Sequence, residues 1–249
     1  MNPPTTDRIL LFGKRRIPYS LQVMPRKRFR IVVTPGLHVK ASAPDTVSEE
    51  DVQAAMQSKA PWIARQLDAM QQYHPLPAPH KYISGETFVY LGRQYRLRVE
   101  TGPNSSAKLT GRFLLVSVPD KQDTASIRKA VDTWYRDHAA TTFQKYLDKW
   151  QAVAARHGVP ACQLVIRRMR TRWGSCSASK RITLNLDLIQ TPTHCIEYVI
   201  AHELCHLKHH NHSKAFYRLH TRIMPDWPRR KALLDTITLP TNIVSPTYI

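Results

Sequence analysis

The sequence is poor in cysteine, with Cys162, Cys176, Cys195 and Cys205 in 249 residues. Four cysteines are too few for a disulfide-stapled scaffold at this length, and buried free thiols are their ordinary role in a reducing compartment. No apolar run approaches the roughly 18 residues that span a bilayer. The first residues also lack the continuous apolar segment of a secretory signal. We therefore expect a cytoplasmic protein without a membrane span.

Acidic residues are scarce relative to basic ones. The chain has 18 Asp+Glu against 37 Lys+Arg, a formal net charge of +19 and a pI of about 10.1. Such a charge attracts the phosphates of nucleic acids, nucleotides or lipid head groups. It is equally compatible with a charged surface that only keeps the protein in solution. The sequence has no Cys₂His₂ finger, no aromatic RNA-binding signature and no clear helix-turn-helix. The charge permits nucleic-acid association without establishing it.

The remaining composition is that of a globular protein. Hydrophobic residues make up 42% of the chain and charged residues 22%, which argues against wholesale disorder. Alternation through residues 17–41 predicts an antiparallel β-meander, followed by a helix that Pro61 kinks or restarts. A proline-rich connector at residues 73–80 precedes further strands to Val118 and a long helix from Thr124 to His157. The chain shows no internal repeat.

Histidines are concentrated near the end of the chain. Six of the 12 fall within 19 residues, namely His202, His206, His209, His210, His212 and His220. Residues four apart lie on one helix face, so His202 and His206 can share an ion. Glu203 lies to the side, where it can approach a metal-bound water without being a ligand. This is the H-E-x-x-H pattern of zinc hydrolases, in which the carboxylate takes a proton from water that the metal polarises.

A catalytic zinc needs a third protein ligand. No glutamate follows Glu203, although Asp226 and Asp235 are formal candidates. His209 and His210 would lie too far along a continued helix. His212 is better placed if the chain reverses, and Asn211 tolerates the left-handed backbone that a reversal can use. The predicted metal ligands are His202, His206 and His212.

Two strands are predicted before the histidine-rich segment. The first spans Gln163 to Met169, and the second carries the alternating residues Ile182, Leu184 and Leu186. Such a hairpin either offers an edge to an extended peptide substrate or covers the core. A Trp-Gly-Ser turn lies between the strands, and four arginines precede it, namely Arg167, Arg168, Arg170 and Arg172.

Several segments together resemble one protein family. They are Arg172 to Ser177, Ile182 to Asn185, Tyr198 to His206, Asn211 to Ser213, and Phe216 with Tyr217. With the strand and helix pattern before them, they resemble the YgjP-like family of predicted zinc metallopeptidases over about residues 17–238.

The resemblance implies an α+β fold with a zincin-like catalytic subdomain related to the SprT-like and WLM peptidases. We expect an N-terminal β-rich α+β region at residues 1–120 and a zincin-like metal-binding catalytic region at residues 121–240, which together form one family unit over about residues 17–238. His202, His206 and His212 match the zinc ligands of the family, and Glu203 matches its catalytic acid/base.

We therefore expect a zinc-dependent hydrolase that cleaves peptide bonds with one catalytic Zn²⁺. One alternative is a nucleotide phosphohydrolase that uses the same metal site with arginine-bound phosphates. Another is a basic nucleic-acid-associated module whose zinc is structural, with Cys176 or Cys205 as a possible fourth ligand. The candidate substrate-binding residues are Arg170, Arg172, Trp173 and Tyr217.

Overall fold

The computed structural model describes residues 5–26, 28–34, 36–71, 74, 78–169 and 172–237. The chain divides into two compact units, Met1–Pro77 and Ala78–Ile249, each with its own cluster of buried apolar side chains. The division falls within the proline-rich connector at residues 73–80. Among the described residues, no helix is long and apolar enough to cross a membrane.

The first unit is a four-stranded sheet followed by a helix. Its elements are β1 (Thr5–Phe12), β2 (Arg15–Met24), β3 (Arg30–Val33), β4 (Val39–Pro44) and α1 (Glu49–Gln71). The strand order is β1-β2-β4-β3, and the central pair β2–β4 is parallel. A meander would be antiparallel throughout, so the predicted meander is wrong at this pair. Alternation of apolar residues indicates which face is buried but does not identify the neighbouring strand.

Helix α1 begins after Ser48, whose hydroxyl accepts a hydrogen bond from the Asp51 N–H at 3.1 Å. Its buried residues include Val52, Met56 and Ile63, which recur at helical spacing. The helix is continuous through Pro61, so the proline does not restart it.

The second unit begins with the same arrangement of strands. Its first elements are β5 (Thr87–Tyr90), β6 (Arg93–Thr101), β7 (Ser106–Thr110), β8 (Phe113–Val118) and α2 (Thr124–Ala155). The order β5-β6-β8-β7 has antiparallel outer pairs and a parallel central pair, as in the first unit. The two units therefore share a four-strand-plus-helix topology that the sequence did not reveal as a repeat.

The rest of the second unit carries the histidine-rich segment. It contains β9 (Gln163–Arg167), β10 (Gly174–Cys176), β11 (Arg181–Asn185), a 3₁₀ helix (Leu186–Gln190), α3 (Thr193–His206), α4 (Lys214–Ile223) and α5 (Trp227–Asp235). The strand order is β10-β11-β9. The hairpin predicted between β9 and β11 is wrong, because these strands pair in parallel. The short β10 is the antiparallel partner of β11 and an edge of the sheet. The α+β class is confirmed.

The core of the second unit surrounds helices α2 and α3. The aromatic stripe of α2 is buried, as its helical spacing predicts, with Trp134, Tyr135 and Phe143 at most 6% exposed. In α3 every residue from Cys195 to Cys205 is buried. The helix that carries the H-E-x-x-H pattern is therefore packed on all sides, which fixes the position of its functional side chains.

Candidate metal centre

Three imidazole rings converge beside the C-terminal end of α3. The Nε2 atom of His202 lies 3.2 Å from Nε2 of His206 and 3.1 Å from Nε2 of His212. Donor nitrogens bound to one zinc ion at tetrahedral angles lie about 3.3–3.4 Å apart, given Zn–N bonds of about 2.0–2.1 Å. The three predicted ligands therefore fit a single metal ion. Among the described residues, they form the only cluster of His, Cys, Asp or Glu that could hold a metal.

His212 reaches this centre because the chain reverses after α3. The helix ends at His206, and the N–H groups of Leu207 and Lys208 bond to carbonyls of its last turn. Helix α4 then begins after Ser213, whose hydroxyl accepts the Phe216 N–H at 3.4 Å. The reversal was predicted, but Asn211 is not among the residues with left-handed backbone.

The ring of His206 is oriented by the same reversal. Its Nδ1 lies 3.1 Å from the backbone carbonyl oxygen of His209, a distance at which the Nδ1–H donates to the carbonyl. This hydrogen bond selects the tautomer with the proton on Nδ1, which leaves the lone pair of Nε2 free to bind a metal. Ligation through Nε2 is the arrangement that results.

The surroundings keep the imidazoles neutral. Burial, followed by the proximity of His206, lowers the pKa of His202 to about 2. Burial also lowers the pKa values of His206 and His212. Neutral imidazole is the form that binds a metal, so the site needs no deprotonation at neutral pH.

Glu203 is held against the edge strand β10. Its side chain is 2% exposed, and burial raises its pKa to about 8, while the charge of Arg172 acts in the opposite direction. A Cβ at Gly174 would lie 2.6 Å from Glu203 Oε1 and 2.8 Å from its Cγ. Only glycine fits at residue 174 with the carboxylate in this position.

A cleft of about 580 Å³ opens onto these groups. Its walls include all of β10, together with Arg172, Glu203, His206 and His212. The half-buried Cys176 lies on this wall, and burial raises the pKa of its thiol to about 11. Cys205 is fully buried in the core. Neither cysteine belongs to the three-histidine cluster.

The predicted substrate-binding residues lie in different surroundings. Arg172 lines the cleft, whereas Trp173 is 3% exposed within the core. Tyr217 is 41% exposed and its ring stacks on that of His212 at a centroid distance of 6.1 Å. Arg170 lies outside the described residues. Of the neighbouring arginines, Arg168 is bound to carboxylates, 3.1 Å from Asp132 and 3.5 Å from Asp187.

An ion-paired glutamate fixes α3 to its neighbours. Glu197 accepts hydrogen bonds from Lys149 of α2 and Arg230 of α5, each at 2.5 Å. Burial by itself raises the pKa of Glu197, but the hydrogen bonds from Lys149 and Arg230 outweigh it and the net pKa is lowered. This carboxylate is structural and lies on the metal helix one turn before the first ligand.

Two buried polar residues to which the sequence analysis gave no role, Asn185 and His220, support the centre. Asn185 is fully buried and its amide group donates to the carbonyls of Met169 and Arg172 at 2.7 and 2.9 Å. It thereby ties down both ends of the segment that enters β10. His220 is also fully buried, stacked on Trp227 and packed edge-on against His202. The available signals were the place of Asn185 at the end of the alternating strand and the place of His220 in the histidine-rich segment.

Sequence comparison identifies the family to which these features belong. Residues 27–237 match the family described as "YgjP-like, metallopeptidase domain". The chain belongs to the YgjP-like metallopeptidase family. It is therefore a hydrolase whose family implies a divalent metal, and the three-histidine cluster is the candidate position for that metal.

Other comparisons are more distant. No curated protein matches the sequence. Among solved structures, the chain is similar to the crystal structure of the metallopeptidase zymogen of Pyrococcus abyssi abylysin, with a TM-score of 0.36 and 21% sequence identity. The match covers 41% of this chain and 99% of that chain.

Proposed function

We propose that this YgjP-like metallopeptidase is a zinc-dependent enzyme that hydrolyses peptide bonds with Glu203 as general base. The observation that carries this proposal is the cluster of three imidazoles, two of which, His206 and His212, line the same cleft as the buried carboxylate of Glu203. Three neutral nitrogen ligands with a remaining open position are typical of catalytic rather than structural zinc.

When bound, zinc would supply Lewis acidity that polarises a water molecule and the substrate carbonyl. His202, His206 and His212 would hold it. The buried helix α3 orients the first two ligands, and the hydrogen bond to the His209 carbonyl orients the ring of His206. The chain thus contributes a rigid, neutral ligand set.

Glu203 would take the proton from the attacking water and return it to the departing amine. Its burial raises its carboxyl pKa toward the neutral range, which suits a group that must accept and then donate a proton near pH 7. Gly174 supports this role because its missing side chain leaves room for the carboxylate on the cleft wall.

Strand β10 would bind the substrate backbone. It is an edge of its sheet and lines the same cleft as Glu203, so an extended peptide could add to it as a further strand. This favours the substrate-edge role over the core-covering role that the sequence left open.

A second candidate function, nucleotide phosphohydrolysis, is favoured by Arg172 alone. Its guanidinium lines the cleft, where it could pair with a phosphate. Of the other arginines in the predicted cluster, Arg168 is already bound to two carboxylates. Peptide hydrolysis is the better supported function because the family is one of metallopeptidases.

A parallel assay separates these functions. Zinc-loaded wild type and Glu203→Gln are incubated with an unfolded protein, with nucleoside triphosphates and with a DNA-bound protein. We expect the wild type to cleave polypeptide and Glu203→Gln to be inactive on it while it retains the metal. Turnover of nucleotides alone, abolished by the same substitution, would favour the second function. Full activity of Glu203→Gln would refute the proposed mechanism.

A further inference from the structure

A second cleft lies beside the metal centre and is strongly basic. Its volume is about 570 Å³, and we call it the basic cleft. Its charged and polar lining consists of cations and histidines, namely Arg156, His157, Lys208, His209, Arg218 and Arg222. Within the described ranges of the chain, its lining includes no carboxylate. Three different helix ends or faces therefore bring like charges together in one concave surface.

Most of these cations are not used to hold the fold together. Lys208 donates from Nζ to the His157 carbonyl at 2.7 Å, which accounts for one of them. Within the described part of the chain, the side chains of Arg156, Arg218 and Arg222 make no ion pair or hydrogen bond. By contrast, Arg230 on the neighbouring α5 is held by two carboxylates. Neighbouring cations repel one another, and since these three have no carboxylate partner among the residues that the structure describes, they are suited to bind an anion from outside the protein.

The basic cleft and the metal cleft share one stretch of chain. Lys208 and His209 line the basic cleft, whereas His210, Asn211 and His212 line the metal cleft. Consecutive Cα atoms are about 3.8 Å apart, so the two clefts begin within a residue of each other along this turn. A polypeptide that followed this turn would pass from one cleft to the other.

We infer that the basic cleft binds an acidic segment of the polypeptide substrate, so that the enzyme prefers substrates with carboxylates near the cleaved bond. This inference rests on the proposed peptidase function, because it names the class of peptide that reaches the metal. Arginine guanidinium groups match carboxylates in charge and in bidentate geometry.

Nucleic acid is the competing polyanion, and the lining of the cleft argues against it. Proteins that bind single strands combine a basic groove with Phe, Tyr or Trp side chains on which bases stack. The basic cleft has no such side chain, and its apolar lining residues are Ala215 and Leu219. Among the described residues, the rings in this lining are the imidazoles of His157 and His209 alone, so the cleft offers mainly charge, which suits a flexible chain of carboxylates.

Binding is tested with labelled peptides and zinc-loaded full-length Glu203→Gln protein. One peptide carries a run of glutamates, and a second has glutamine at each of those positions. The double substitution Arg218→Gln and Arg222→Gln is added to remove charge from the basic cleft. As the matched control, Arg93→Gln and Arg112→Gln remove the same charge from exposed positions elsewhere in the second unit. Fluorescence anisotropy gives the dissociation constants.

We expect the cleft variant to bind the glutamate peptide about tenfold more weakly, as the loss of two exposed charge pairs implies. The control variant should bind it unchanged, and the glutamine peptide should not distinguish the variants. Equal weakening in the cleft and control variants would overturn the inference, because net charge would then explain the binding. A single-stranded oligonucleotide whose binding alone depends on the cleft would also overturn it.

Kinetics in the wild-type background separate this inference from the proposed function. The cleft variant should raise KM for the glutamate peptide about tenfold at unchanged kcat, with no effect on the glutamine peptide. If the wild type cleaves neither peptide while the binding difference persists, the peptidase function is contradicted and the acidic-peptide site stands. If both peptides are cleaved with equal kinetics in every variant, the site is contradicted and the peptidase function stands.

Discussion

The close approach of Gly174 to Glu203 can be tested by adding one methyl group. In Gly174→Ala the new Cβ would lie 2.6 Å from Glu203 Oε1, 2.8 Å from Cγ and 3.0 Å from Cδ. Ordinary carbon contacts begin near 3.5 Å, so either the strand or the carboxylate must move by roughly 0.5–1 Å. Glu203 is buried and has little room to move without leaving its position over the cleft.

The expected magnitudes follow from this displacement. A shift of about 1 Å in a catalytic group can cost about 100-fold in rate, and overpacking of a buried site destabilises by about 1–3 kcal/mol. Glu203→Ala removes the three atoms nearest to the new methyl group, Oε1, Cγ and Cδ. In that background, Gly174→Ala should therefore cost less than about 0.5 kcal/mol, so the two substitutions should be strongly coupled in a double-mutant cycle.

Peptide turnover and urea unfolding measure the two effects. Unfolding is measured on the metal-free wild type, both single variants and the double variant, so that metal affinity does not enter the comparison. Turnover is measured on zinc-loaded Gly174→Ala, with zinc content as the control for an intact ligand set. Equal destabilisation in both backgrounds, or full turnover by Gly174→Ala, would refute the steric explanation.

Three further perturbations test the surroundings of the centre. Glu197→Gln should lower the free energy of unfolding by about 1–3 kcal/mol. Because the pKa of Glu197 is lowered in the folded state, this loss should be complete well above about pH 4.3 and should shrink as the pH falls through the folded pKa. A loss that does not change with pH would contradict the ion-pair role. Asn185→Ala should cost about 2–4 kcal/mol, since it leaves the Met169 and Arg172 carbonyls without their amide donor; wild-type stability in urea would show that these bonds do not matter. Chelation should abolish turnover and lower Tm, and zinc at about a hundred times its Kd should raise the free energy of unfolding by about 2.7 kcal/mol. A Tm that changes with neither chelator nor zinc would argue against a metal site in the folded state.

Much of the candidate site could be predicted because helix geometry is local. Two histidines four residues apart on an apolar helix must share a face, so His202 and His206 followed from spacing alone. His212 reaches the site only if the chain reverses after the helix. The sequence indicated this reversal but not its backbone conformation. Asn211 was expected to turn in the left-handed region, whereas the reversal is achieved with ordinary backbone.

Strand neighbours and lone polar residues were harder to predict because they depend on distant parts of the chain. Alternation located β2, β9 and β11, but the parallel pairings β2–β4 and β9–β11 are set by tertiary packing. The role of Asn185 depends on backbone groups 13 and 16 residues away. Trp173, which the sequence suggested as a substrate contact, lies in the core. It directly precedes β10, and side chains along an extended chain alternate between the two faces of the sheet.

The central claim is that three histidines hold the metal and Glu203 performs proton transfer without binding it. Its most direct test is zinc content per chain, measured with peptide turnover on the same samples of wild type, Glu203→Gln and His212→Ala. We expect one zinc per chain in the wild type and in Glu203→Gln, turnover in the wild type alone, and substantial loss of zinc in His212→Ala. Loss of zinc from Glu203→Gln, or full zinc occupancy and turnover in His212→Ala, would contradict the claim.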